Sequence, residues 1–450
     1  MNTSANSLYH AIHINTDKCI GCSHCIKVCP TEALHIWNGH SNLNPERCID
    51  CDECYRVCPV GAISVEDDGL NQINNFKTKV ALIPSVFMGQ FPQGIKAREV
   101  FKAVQDLGFT YVYEVEEGSQ LVEKLFTEKI NRKESLPVIS SFCPAVLRLI
   151  QVNFPQLTEN IMNIETPVDI TATSIRKQLK DKEDVGIFYF TPCSAKITSL
   201  KAPIGGSKSA LDGVINMDIV FNEILSILTK KNTVKKRHKK EITNNAIEPD
   251  HILWSLSGGE IKNLPGTCLS IDGTKNIISF LDKIETQGCN EIDFLEMKNC
   301  DQGCAGGILT PQNRFLTAQR LRNRAKYYTE FYSENPEEKP INHTSDVSYE
   351  DVKTNKIEPR SIIKYDSDPL KALAKMERTQ EIFKILPSLD CGACGYPSCK
   401  SLTRNIIEEK ASIEYCFVIQ RKLEEKQGLD HKKSKEILED IWGKNKFKKH

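Results

Sequence analysis

The chain has 450 residues, room for two to four domains, and its 59 Lys+Arg balance 59 Asp+Glu. That balance argues against a global nucleic-acid-binding or membrane-binding field, and no apolar run approaches the roughly 20 residues of a membrane span. Eighteen cysteines are too few for a small disulfide scaffold and fall in tight groups, which points to metal rather than disulfides. Residues 1–17 are polar and lack the basic and apolar regions of a leader, so a cytoplasmic protein is expected.

In chain order, eight cysteines come first. Cys19, Cys22, Cys25 and Cys29 are spaced C-x2-C-x2-C-x3-C and followed by Pro30; Cys48, Cys51, Cys54 and Cys58 repeat the spacing before Pro59. This resembles the bacterial dicluster ferredoxin run, in which the fourth cysteine of each run ligates the other cluster. Hence Cys19, Cys22, Cys25 and Cys58 are expected on one 4Fe–4S cluster, and Cys48, Cys51, Cys54 and Cys29 on a second. A zinc ribbon is the alternative, and two matched runs ending in proline argue against it. Residues 1–75 are read as this dicluster domain.

From about residue 76 short apolar runs alternate with helical periodicity. Residues 80–86, 110–115, 136–141 and 186–190 read as strands, and 95–107 as an amphipathic helix. That alternation predicts α/β layering with a largely parallel sheet over 76–333. Cys143 and Cys193 each follow a predicted strand, and Cys300 and Cys304 form a C-x3-C pair. Together they could hold another cubane, although single cysteines near strand ends are commonly small buried hydrophobes. Cys268 and Cys289 lack a partner spacing and read as structural. Residues 230–240 carry seven Lys/Arg, read as a solvated loop rather than a nucleic-acid patch.

Residues 334–370 are polar and poor in large apolar groups, which suggests a linker. Cys391, Cys394, Cys399 and Cys416 then give C-x2-C-x4-C-x16-C, with glycines permitting a tight loop and 400–415 predicted as a helix that returns the fourth ligand. One 4Fe–4S cluster is expected in a small, mainly helical domain at 371–420, zinc being the alternative. Residues 421–450 read as a charged, exposed helical tail. The expected fold class is thus multi-domain, α+β and α/β: a ferredoxin-like dicluster module, a two-lobed α/β domain and a small helical 4Fe–4S domain.

The segments around Cys143, Cys193 and Cys300/Cys304 resemble, in order and separation, the three cysteine signatures of the FeFe-hydrogenase catalytic domain. The likeness spans about residues 77–330 and takes in Pro84, Ser85, Gly258, Gly259 and the run 216–220. It implies that Cys143, Cys193, Cys300 and Cys304 hold the cubane half of a hydrogen-activating H-cluster. Cys304 would also bridge to a di-iron unit carrying CO and CN, and the Lys196 ammonium would meet a cyanide, as a buried anionic ligand wants a charged donor. Several positions depart from the pattern. Phe142 replaces the proton-donating cysteine and Ser199 the relay glutamate, while Thr191 and Lys298 stand where methionine is usual, and the glycine run after Cys304 is cut short at Ala305.

The C-terminal motif resembles the Cys-Gly-Ala-Cys-Gly cluster domain of electron-transport and corrinoid–CO-dehydrogenase proteins. This domain order looks like the sensory or regulatory branch of the FeFe-hydrogenases, and since the chain stops at His450 no output domain is expected. The resemblance implies an iron–sulfur protein that senses hydrogen or turns it over slowly, with three further 4Fe–4S clusters as its wire and a redox or signalling protein as partner. The alternative is a non-catalytic relay with a plain cubane in the middle domain. A carrier of labile clusters is a third reading, against which the closed four-thiolate sets argue.

Overall fold

Short strands open the chain: β1 (Ile12–Ile14) pairs antiparallel with β4 (Ile63–Val65), and β2 (Leu34–Trp37) with β3 (His40–Leu43). The duplicated cysteine run is duplicated in structure too. Helices His24–Val28 and Glu53–Arg56 each begin after a left-handed residue, Ser23 and Asp52, both at φ 67°. Their core is small, with Ile12, Ile26, Leu34, Ile36 and Ile63 packed together with Cys25 and Cys54. So few apolar side chains supply little burial energy, and domains of this kind lean on metal for stability.

The computed structural model describes residues 8–133, 136–205, 209–231, 247–289, 291–340, 344–360 and 369–447. The basic run at 230–240 therefore lies, from residue 232 on, outside the described residues. Two units are formed, one of Met1–Glu66 together with Arg360–His450, the other of Asp67–Pro359. In the first, helices Pro369–Ile385, Cys399–Ile407, Phe417–Glu425 and His431–Trp442 follow the strands. Leu386, Tyr396, Leu402 and Ile419 gather there around Cys394, Cys399 and Cys416. The continuous helix predicted over 400–415 is instead broken after Ile407. Glu408, Glu409 and Lys410 offer no apolar face, Glu409 turns left-handed at φ 59°, and a short 3-10 turn at Ile413–Tyr415 delivers Cys416.

The second unit holds two wholly parallel sheets. One runs β6 (Tyr111–Glu114), β5 (Thr78–Ile83), β8 (Val185–Thr191), β9 (Gly213–Asn216). The other runs β10 (Cys268–Asp272), β11 (Phe294–Lys298), β7 (Val138–Ile139). Strands β8, β9 and β11 are buried along nearly their whole length, as parallel strands covered on both faces are. One core gathers Phe87, Phe101, Phe109, Phe188 and Phe190; the other gathers Phe126, Phe142, Trp254 and Phe294. These are the two expected lobes. The stretch whose composition suggests a linker is fastened to this unit as far as Pro359, because Val347, Val352 and Ile357 are buried and Ser174 donates to Asp346.

The topology matters for function. Cys193 follows β8, Cys143 follows β7 and Cys300 follows β11, so these thiols leave the carboxyl ends of parallel strands, where open α/β sheets bind ligands. Among the described residues no helix is long and apolar enough to cross a membrane.

Candidate metal centres

Cys19, Cys22, Cys25 and Cys58 line one small pocket with Ile14, Ile36 and Ala62. Backbone amides donate to two of these sulfurs, Ala62 N to Cys58 at 3.2 Å and Ser41 N to Cys19 at 3.4 Å. Gly21 is needed in this loop: it sits at φ +57°, and a Cβ there would lie 2.4 Å from the Gly39 carbonyl oxygen. In the companion set, Cys48, Cys51 and Cys54 are buried, which drives their thiols well above the ordinary value, and the nearby Cys29 adds to the rise in each. Ala33 N donates to Cys29 Sγ at 3.2 Å. Thus Cys58 stands with the first three cysteines and Cys29 with the second three. Such a nest of buried thiols is costly to ionise by itself, and a multivalent cation is what reverses the cost. A thiolate-rich, amide-lined cage suits an iron–sulfur cluster.

At the C-terminal set Cys394, Cys399 and Cys416 are buried and Cys391 is exposed. Burial pushes the Cys394 thiol up to about 12, with Cys416 and Cys391 close enough to add to it. Asp390 at the loop entry accepts from Cys399 N at 2.7 Å.

In the middle domain, burial pushes the Cys304 thiol up to about 12; Lys196 and Lys298 oppose the rise and Cys143 adds to it. Buried Tyr189 lies near both Cys304 and Cys193. The C-x3-C loop is tied to the Cys193 loop by Leu309 N donating to Pro192 O at 3.0 Å, and to the rest of the domain by Cys304 N donating to Ser255 O at 2.9 Å. Cys143, Cys193 and Cys304 are thus brought to one place, with Cys300 one turn away in the same loop. Four soft thiols there fit a cubane.

Beside them Phe142, Lys196, Cys304, Glu116, Tyr189 and Trp254 line a shared pocket. The Phe142 ring lines this pocket. Lys196 Nζ sits 4.4 Å from the ring centroid and donates to the Phe142 carbonyl at 3.2 Å. Ser199 lines a neighbouring cavity, together with Lys196, Asp169 and Tyr189. Cys268 donates to Pro265 O at 3.4 Å and packs on the second core, as a structural cysteine does.

Two features escape a reading of single motifs. Lys298 is fully buried, with Nζ 2.6 Å from Glu296 and 3.0 Å from Glu260, and it donates to the carbonyls of Trp254 and Leu256 at 2.9 and 2.8 Å. Burial would lower its pKa, yet the two carboxylates outweigh this and hold it above the ordinary lysine value. Glu296 also accepts from Gly258 N at 2.8 Å and Glu260 N at 3.0 Å, and Ser140 Oγ donates to Glu260. Phe142 N donates to Ser140 Oγ at 3.1 Å, and the Phe142 ring centroid lies 5.2 Å from Lys298 Nζ. The Phe142 ring therefore has two lysine ammonium groups close to it. The signal was present in β11: Glu296 and Lys298, two apart in a buried strand, share one face. The second feature is the pair Glu116 and Glu117, which burial pushes up to about 8 and which each keep a buried oxygen without a hydrogen-bond partner. Such carboxyls exchange protons near neutral pH.

Gathered thiols of this kind, matched by iron–sulfur family models, define an iron–sulfur protein. Comparison with known proteins gives the family. Residues 77–264 match the iron only hydrogenase large subunit, C-terminal domain, residues 11–72 the 4Fe-4S dicluster domain, and residues 386–418 a putative Fe-S cluster family. The middle domain is thus similar, over residues 77–264, to the iron only hydrogenase large subunit. Over 81 residues, 17% of this chain, it is 31% identical to the gamma subunit of the acetyl-CoA decarbonylase/synthase complex of Methanocaldococcus jannaschii, and it spans only 16% of that protein's length. Among solved structures it is similar to a variant of the FeFe-hydrogenase of Chlamydomonas reinhardtii, with TM-score 0.45 and 15% identity over 65% of this chain and 98% of that one. A structure describing oxygen inactivation of an FeFe-hydrogenase gives TM-score 0.40 and 16% identity over 66% of this chain and 97% of that one.

Proposed function

We propose that this chain is a cytoplasmic iron–sulfur electron-transfer protein whose middle site meets hydrogen slowly, as a sensor or low-turnover hydrogenase-like protein, and passes electrons along three further 4Fe–4S clusters. The observation that carries the reading is the convergence of Lys196, Cys304 and Phe142 on one pocket. Cys143, Cys193, Cys300 and Cys304 would hold the cubane, and Cys304 with Lys196 the adjoining di-iron unit. When bound, that unit supplies the metal at which hydrogen is split or formed. Lys196 offers a charge-assisted donor to an anionic ligand. Phe142 has no proton to give where a thiol is usual, and Ser199 has no useful pKa near neutrality, so proton delivery is slow and so is turnover.

Electrons then leave through the cluster sets at Cys19/Cys22/Cys25/Cys58, Cys48/Cys51/Cys54/Cys29 and Cys391/Cys394/Cys399/Cys416, each cubane exchanging one at low potential. The exposed Cys391 supports the last set as the exit, and a relative 31% identical over 81 residues is itself named as a complex subunit, which supports a protein redox partner.

A second reading, a plain relay with a cubane alone in the middle domain, is favoured by the hold Phe142 has on Lys196. Infrared spectroscopy separates the two. Protein purified anaerobically from a host with hydrogenase maturation enzymes should show metal-bound CO and CN bands. Their absence, with about sixteen irons per chain, would leave the relay.

A further inference from the structure

The charged stretch at the C-terminus is the part of the chain that the metal sites leave unused, and it makes specific contacts. Helix His431–Trp442 presents its last turn to the β2–β3 hairpin, where Asn38 N donates to Asp440 O at 2.7 Å and Gly39 N to Ile441 O at 3.0 Å. Two glycines make the approach possible. Gly443 is at φ +82°, and a Cβ on it would lie 3.2 Å from Gly39 Cα. Ile441 is fully buried.

From this anchor two side chains reach two different cysteine loops. Trp442 Nε1 donates to the carbonyl of Ala393 at 2.9 Å, inside the Cys391–Cys394 loop. Lys446 Nζ donates to the carbonyl of Gly21 at 2.6 Å, inside the Cys19–Cys22 loop, and lies 5.0 Å from the Trp442 ring centroid. Beside the Cys391–Cys394 loop, Gly395 O also accepts from Ile36 N of β2 at 2.7 Å.

We propose that residues 440–447 are a clamp between the cluster at Cys19/Cys22/Cys25/Cys58 and that at Cys391/Cys394/Cys399/Cys416. In it Trp442 fixes the second loop, and Lys446 places a positive charge against the first that favours its reduced state. Lys446 and Trp442 are positioning residues: they touch the loops, not the iron. The reduced cluster carries one more negative charge than the oxidised one, so a cation held at its loop stabilises reduction. An exposed ammonium is screened by water and salt, so the effect is modest, roughly threefold in the ratio of reduced to oxidised cluster. The proposal rests on the cluster assignment above.

The test is an EPR-monitored redox titration of the full chain, preceded by iron analysis. Lys446→Gln should keep the iron of the parent and lower the reduced-to-oxidised ratio of the N-terminal cluster about threefold at the parent's midpoint, while Lys446→Arg restores it. Trp442→Phe should keep the N-terminal potential and speed loss of the C-terminal cluster to a chelator several-fold. An unmoved midpoint in Lys446→Gln with full iron, or unchanged chelator loss in Trp442→Phe, overturns the clamp. Parent protein lacking iron in these sets would overturn the cluster assignment instead.

Discussion

Lys298→Met restores the residue type usual at that position in the family pattern and is expected to be among the most destabilising changes in the middle domain. Removing the ammonium leaves Glu260 and Glu296 facing each other in a buried site, both fully enclosed and both bonded to Lys298 in the parent. Breaking a buried pair from one side costs about 3–5 kcal/mol, because a buried charge is left uncompensated. For a unit of this size that corresponds to a fall in Tm of roughly 10 °C. The loss should depend on pH. Burial already raises the Glu260 carboxyl, Glu296 raises it further, and Lys298 opposes both. Without Lys298 its folded pKa climbs well above the unfolded value, so the folded state keeps a proton that the unfolded chain has released. Stability of the variant is then greatest at low pH and falls as pH rises through the folded value. The gap to the parent should widen as pH rises above the unfolded carboxylate value of about 4.3. Adding Glu260→Gln removes one of the two charges and should recover roughly half of the loss. Anaerobic thermal unfolding of the full chain at several pH values measures this. A gap that does not change with pH would assign the loss to packing, and an unchanged Tm would refute the network.

Cys29→Ala should cost about four irons per chain and remove the EPR signal of the set at Cys48, Cys51 and Cys54; loss of the set at Cys19, Cys22 and Cys25 instead would reverse the crossed assignment. Gly303→Ala should strip iron from the middle site while sparing the other three sets, because Gly303 sits at φ +62° and a Cβ there would lie 2.4 Å from the Ser255 carbonyl oxygen, a conflict of about 1–3 kcal/mol in the loop that carries Cys300 and Cys304. Phe142→Cys, made in a host with maturation enzymes, should raise hydrogen evolution at least tenfold by gas chromatography; no rise with CO and CN bands present would move the bottleneck away from position 142.

Ligand spacing is a local constraint, and so the cysteine sets could be read from the chain: C-x2-C-x2-C sets three thiols on one loop whatever surrounds it. The alternation that builds the parallel sheets is likewise local, and strands β5, β6, β7 and β8 fall within or within two residues of their predicted ends. What could not be read depends on partners distant in sequence. Periodicity gave residues 421–450 a helix but not a neighbour, and an exposed tail is what a charged helix suggests until Ile441 is seen buried and Trp442 bonded to Ala393. The linker reading failed similarly, because Val347 and Val352 are too few to register in composition yet sufficient to fasten the segment.

Phe142 and Lys298 look, in the sequence, like two independent departures from the hydrogenase pattern. In space they are one. The ammonium groups of Lys196 and Lys298 both lie against the Phe142 ring, and the Phe142 amide is held by Ser140, which also bonds Glu260, the partner of Lys298. A cation brought to position 298 needs buried carboxylates, and the aromatic face gives both lysines a partner that a thiol could not. Restoring a proton donor at 142 alone therefore leaves two cations facing a smaller side chain. The rise in hydrogen evolution from Phe142→Cys should for this reason be larger when Lys298→Met and Glu260→Gln are made with it, and additivity of the three changes would show the sites to be uncoupled.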